Sequence, residues 1–134
     1  GIRVILYHGD DKPIFESTTS KLSAHGRKVM QRMSWLLSQH VLAYRIDSHS
    51  MDLNEKVSNH ELAEWELSLY QAVEINNALG YYSVDELDGK LERMTGHGAT
   101  KPNRIRFPNR LDKNRRVEIS LVLDVSKEDL ARYR

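Results

Sequence analysis

The chain contains no cysteine. Disulfide staples, thiolate nucleophiles and cysteine-ligated zinc are therefore excluded, while the redox compartment stays open. No apolar run approaches the roughly 18 residues that a membrane-spanning helix needs, and Gly1-Ile2-Arg3 does not begin a signal peptide. The chain reads either as a soluble protein or as a fragment cut from a longer one. Neither sign of charge is in excess, with 20 Lys+Arg against 19 Asp+Glu. There is then no general field to gather nucleic acid or acidic lipid. Internal repeats and low-complexity runs are also missing. So are the G-x-S-x-G elbow, the H-E-x-x-H pair and the P-loop, which removes the commonest signatures of hydrolase, metalloprotease and phosphate-cradling chemistry.

What is present is a single domain's worth of amphipathic pattern. A chain of 134 residues buries roughly two-thirds of its unfolded surface, enough for a core without staples. "IRVILY" alternates Ile2, Val4 and Leu6 against Arg3, Ile5 and Tyr7, as a strand does. Ser23 is placed to cap a helix whose stripe is Val29, Met30, Met33, Leu36 and Leu37, ending near His40. "VLAYRID" follows with almost no linker and reads as a strand. A second helix carries Leu62, Trp65, Leu69, Ala72, Val73 and Leu79 at helical spacing, with Glu64, Ser68, Gln71 and Ile75 on the opposite stripe and Gly80 as its stop. A short helical turn is expected at Val84 to Leu87. "KLERMT" is a weaker strand, "GHGATKPN" a loop, and "RRVEISLVLD" the strongest strand. Ser126 with Asp129 suggests a last short helix. The order β, α, β, α, β, β favours an α+β sandwich, with both helices on one face of a mixed sheet built from residues near 2 to 7, 41 to 47, 90 to 95 and 115 to 124. The expected core is Val29, Met33, Leu37, Ile46, Trp65, Leu69, Val73, Val117, Ile119 and Leu121.

Two constellations invite chemistry and do not sustain it. His49, Asp52 and His60 are near one another in sequence and imidazole with carboxylate suits zinc, but they sit in a loop without ligand spacing, so no metal site is expected. The tract "KPNRIRFPNRLDKNRR" is basic with Phe107 interleaved. The rest of the chain does not reinforce it, and a solvated loop entering a strand accounts for it equally well. No cofactor and no catalytic group is assigned.

Five segments in order, "FESTTSKLSAHGRKVMQRM", "YRIDSHSMD", "WELSLYQAVEINNAL", "ERMTGHGATKPN" and "NRRVEISLVL", resemble the successive signatures of the OmpA-like peptidoglycan-binding family, from about Val4 to Leu123. "WELS" is similar to the MotB-type stator branch of it. The resemblance implies one OmpA-like domain over residues 1–134, forming the C-terminal part of a longer membrane-anchored protein. It implies a non-catalytic module that anchors to the cell wall in the periplasm of a Gram-negative bacterium and works as a homodimer, with Ile75 on the uncovered stripe. The family's pocket for diaminopimelate uses a carboxylate to answer the ammonium and an arginine fork to answer the carboxylate. At the matching positions stand Met51 and Gln71, and Glu64 replaces the usual asparagine. The site residues carried over are Ser50, Met51, Asp52, Glu64, Leu67, Ser68, Gln71 and Arg115, with Asp47 and Asp52 flanking the lost carboxylate. Weak or altered peptidoglycan binding is the expectation, and a protein-interaction module that kept the fold without that binding is the alternative.

Overall fold

The computed structural model describes residues 2–9, 11–17, 19–50, 60–84, 86–99 and 115–123. Along them run β1 (Ile2–Tyr7), α1 (Ala24–His40), β2 (Val41–His49), α2 (His60–Ser83), β3 (Leu91–Gly96) and β4 (Arg116–Leu123). The four strands form one mixed sheet in the order β1-β4-β2-β3, with β4 antiparallel to both neighbours and β2 parallel to β3. Parallel strands need a long crossover, and α2 supplies it.

Side-chain alternation sends Val4, Ile119, Ile46 and Met94 to one face in a single row across all four strands. Met30, Met33 and Leu37 of α1 and Ala72, Ile75 and Leu79 of α2 close over that face in one core. Both helices thus lie on one side, as the sequence predicts. Ser23 caps α1, its Oγ accepting from the Gly26 N–H at 2.9 Å. Val41 ends α1 and begins β2 at once.

The next row along the sheet is Leu6, Val117, Ser48 and Gly96. It shrinks towards β3 because the backbone of α2 lies against it there. A Cβ on Gly96 would stand 2.5 Å from the Leu69 nitrogen and 2.7 Å from its Cα, so only glycine admits this approach.

The phase of α2 is the main departure from expectation. Ile75 is fully buried at 0% exposure, whereas Leu62 and Trp65 are exposed at 57% and 54%, and Leu69 is exposed as well. The stripe of Glu64, Ser68 and Gln71 faces inwards and continues through Ile75 and Ala78. Trp65 and Leu69 are therefore not core residues, and Ile75 is not a dimer surface. Val29 and Val73 are half-buried, and the remaining expected core residues are buried. The helix also runs past Gly80 to Ser83, and the stop falls on Val84, which adopts φ 53°. The turn expected after it is present, with the Glu86 N–H donating to the Ser83 carbonyl at 3.2 Å. The helix expected after Ser126 lies outside the described residues.

Two substitutions report on this phase. Ile75→Ala is expected to destabilise by about 2–5 kcal/mol through a core cavity, and Leu62→Ala by less than about 0.5 kcal/mol. Urea unfolding monitored by circular dichroism compares them, and an equal cost would mean the helix is phased otherwise. Val84, 81% exposed in a left-handed conformation, loses about 1–2 kcal/mol to that conformation, so Val84→Gly should raise the melting temperature.

Candidate functional site

The pairing of β2 with β3 continues beyond both strands. Ser48 accepts from the His97 N–H at 2.9 Å, and the Ser50 N–H donates to the Gly98 carbonyl at 2.9 Å. The Gly98 N–H in turn donates to Ser68 Oγ at 2.8 Å, and that hydroxyl donates to the Trp65 carbonyl at 3.0 Å. Ser50 Oγ donates to the Glu64 carbonyl at 3.2 Å. Gly98 has φ 59°, and a Cβ there would meet the Trp65 indole at 2.2 Å. Bonding of this kind offsets the cost of burying a hydroxyl. Ser50 and Ser68 are therefore committed to fastening the loop after β3 onto α2.

One turn along α2, Gln71 is buried and its Nε2 donates to the Thr19 carbonyl at 3.0 Å. Arg115, at the entry to β4, donates from Nη2 to the Ser17 carbonyl. Gln71 and Arg115 meet His8, Phe15, His49 and Arg116 around a cavity of about 10 Å³, room for a single water molecule. Burial lowers the Arg115 pKa from its ordinary value, although a guanidinium in a protein remains charged. The corner therefore presents a cation and an amide donor.

Behind it lies a relay of polar groups. His49 Nε2 is 3.1 Å from Glu118 Oε2, and the His49 ring stacks on His97 at 4.6 Å between centroids and 13° between planes. His97 Nε2 is 2.7 Å from Asp47 Oδ1, with Arg93 Nη2 3.8 Å from the same oxygen. Arg116 Nη2 is 3.7 Å from Glu118 Oε2. Burial, then the Arg116 charge and His97, push the His49 pKa down to about 4 against the opposing pull of Glu118. The imidazole is accordingly neutral at neutral pH, and its contact with Glu118 is a hydrogen bond donated by Nε2–H rather than an ion pair.

Of the residues assigned from sequence, Glu64, Ser68 and Gln71 share one buried helix stripe, and Ser50 packs against it. Leu67 is half-buried beside that stripe. Gln71 and Arg115 reach the cavity, while Ser50 and Ser68 are not among its walls. Asp47 is committed to His97 and Arg93. Met51 and Asp52 lie outside the described residues, as do the side chains of His60 and of the basic tract before Arg115. No group of three His, Asp or Glu among the described residues is arranged to hold a metal ion. Sequence reasoning missed His8 and Thr19 as neighbours of the corner, because strand pairing and the turn before α1 bring them there across long separations.

The geometry has counterparts among solved structures. The cell wall anchor of the type VI secretion system from Pseudomonas aeruginosa superposes with a TM-score of 0.68 at 22% identity, over 91% of this chain and 82% of that one. A periplasmic domain of Helicobacter pylori MotB gives 0.68 at 20% identity over 98% and 87%. The OmpA-like domain of FopA1 from Francisella tularensis gives 0.64 at 15% over 90% and 74%. The chain has the OmpA-like fold. No protein-family model matches it, and no curated protein sequence does either. The OmpA-like fold is thus carried here by a divergent sequence, and the retained signatures sit at close approaches such as Gly96 and Gly98 and on β4.

The buried imidazole makes stability depend on pH. The unfolded chain takes up a proton on His49 near 6.5, whereas the folded chain resists it until about 4. The unfolded state then binds more protons within that window, so stability falls as pH drops from 6.5 towards 4 and is level above it, by about 3 kcal/mol in all from this group. Urea midpoints at pH 7.5, 5.5 and 4.5 should show the fall, and His49→Gln should flatten it.

Proposed function

We propose that the chain is a non-catalytic module that associates with peptidoglycan from the periplasm through an altered diaminopimelate corner. It would be carried by an inner-membrane-anchored, stator-type protein of a Gram-negative bacterium, with the membrane segment outside this chain. The observation that carries the reading is the coincidence of the signature segments with the elements of a fold shared by a cell wall anchor and a MotB periplasmic domain. Among the described residues no helix is long and apolar enough to cross a membrane.

The chemistry of the corner sets the affinity. Arg115 can answer a carboxylate, but Gln71 stands in place of the arginine fork and Met51 in place of the carboxylate that would answer an ammonium. A zwitterion entering here loses hydration without a full set of compensating charges. The remaining space, about 10 Å³, requires the corner to open before any stem peptide enters. Glu64, buried where the family has asparagine, adds a further departure.

A second reading, an interaction or homodimerisation module, is favoured by one observation. Leu62, Trp65, Leu69 and Tyr70 expose an apolar face on α2, and this face replaces Ile75 as the surface such pairing would use.

Met51→Asp combined with Gln71→Arg should strengthen binding of a soluble diaminopimelate stem peptide by about a hundredfold or more, since each restored charge contact is worth about 1.5–3 kcal/mol. An arginine at 71 still carries a donor for Thr19. Calorimetry and pull-down with purified sacculi measure the gain. Tight wild-type binding abolished by Gln71→Ala would show the altered corner to be a working site as it stands. No sacculus binding by either protein would remove the peptidoglycan reading and leave the interaction module.

A further inference from the structure

A groove of about 420 Å³ runs between the segment entering α1 and the C-terminal half of α2. Its size lies in the range of small-molecule sites, about 300–1,000 Å³. The buried Leu22 and Ala78 are among its walls, with Lys21, Arg27, Glu74 and Asn77 around them. Tyr81 and Tyr82 also line it, their rings 5.1 Å apart and crossed at 78°. Tyr81 is 78% exposed, and an aromatic ring presented to solvent beside a groove offers an apolar face with a polar tip.

From this combination we infer that the groove is a second ligand site, for a saccharide bearing a carboxylate. A pyranose has an apolar face of C–H groups and a rim of hydroxyls. The first matches a tyrosine ring, and the second matches the amide of Asn77, the carboxylate of Glu74 and the phenolic hydroxyls, which both donate and accept. Two cations face one anion, so an acidic sugar fits better than a neutral one. Arg27 is held in place by its Nη1 donating to the Leu22 carbonyl at 3.1 Å, which uses one of its five donors. Lys21 is 3.7 Å from Glu16 in an exposed pair, a contact that a ligand carboxylate can share.

The groove and the corner are separate cavities that use the same side of α2. Residues 71, 74, 78 and 81 follow one another on one stripe of α2, so Gln71 and Tyr81 are about 15 Å apart along the axis. Thr19, which accepts from Gln71, is two residues from Lys21. Naming the sugar as part of the cell-wall glycan rests on the proposed function, whereas the saccharide site itself does not.

The full chain is titrated with the peptide-free disaccharide of N-acetylglucosamine and N-acetylmuramic acid, which bears a lactyl carboxylate, and with neutral chitobiose. Nuclear magnetic resonance reads the shifts. The acidic disaccharide should perturb resonances of Asn77, Tyr81 and Tyr82 and bind more tightly than chitobiose. Tyr81→Ala should weaken it about fivefold or more, and Tyr81→Phe should retain most of the affinity. Arg27→Gln should weaken the acidic disaccharide about tenfold and leave chitobiose unchanged, with melting temperatures confirming that each variant is folded. Absence of perturbation in the groove, or equal affinity in Tyr81→Ala, overturns the inference. So does disaccharide binding that follows Gln71→Ala instead of Tyr81→Ala. Failure of the stem peptide and of sacculi, with the disaccharide still bound in the groove, overturns the corner alone.

Discussion

The close approach between the end of β3 and the backbone of α2 governs what surrounds it. Gly96 comes so near Leu69 that a single added carbon would strike the helix backbone, and the Gly98 N–H is bonded to Ser68. Together these contacts fix the rotation of α2 about its axis. Once Ser68 faces β3, Glu64, Gln71 and Ile75 must turn inwards with it, and Trp65 must fall over the Gly98 turn. The phase of the helix is set by one glycine and one serine hydroxyl more than by the distribution of large apolar residues.

That constraint also shapes the corner. A polar helix stripe can be buried when each group finds a partner, and net hydrogen bonds of about 1 kcal/mol then offset what would be a desolvation penalty of about 1–3 kcal/mol for each orphaned group. Ser68 is satisfied by Gly98, Ser50 by Glu64 and Gln71 by Thr19. These bonds hold the corner together without calling on any charged side chain. Likeness of such a frame to other folds says little about what it binds.

The neutral, buried His49 links the corner to the sheet. It is held between Glu118 and the stacked His97, whose other partner is Asp47. Charges on three strands and the turn after β3 are thereby tied together behind the cavity.

The strands, both helices, their order and the α1 cap were legible in the sequence, because local alternation, helical periodicity and a serine at the N-cap are properties of neighbouring residues. The residues of the corner were legible only through their resemblance to known signatures. Which face of α2 is buried could not be read from its own pattern. Leu62, Trp65 and Leu69 form as good a stripe as Ser68, Gln71 and Ile75, and they share Ala72 and Leu79 between them. A helix with two plausible faces is oriented by its partners. Here the partner was a glycine twenty-eight positions beyond Ser68, with Thr19 receiving Gln71 from the other side. Composition and spacing determined that the chain would fold as helices over a mixed sheet. The close backbone contacts of the tertiary structure decided which side chains became its interior, because hydrogen-bond satisfaction and steric approach depend on residues that only folding brings together.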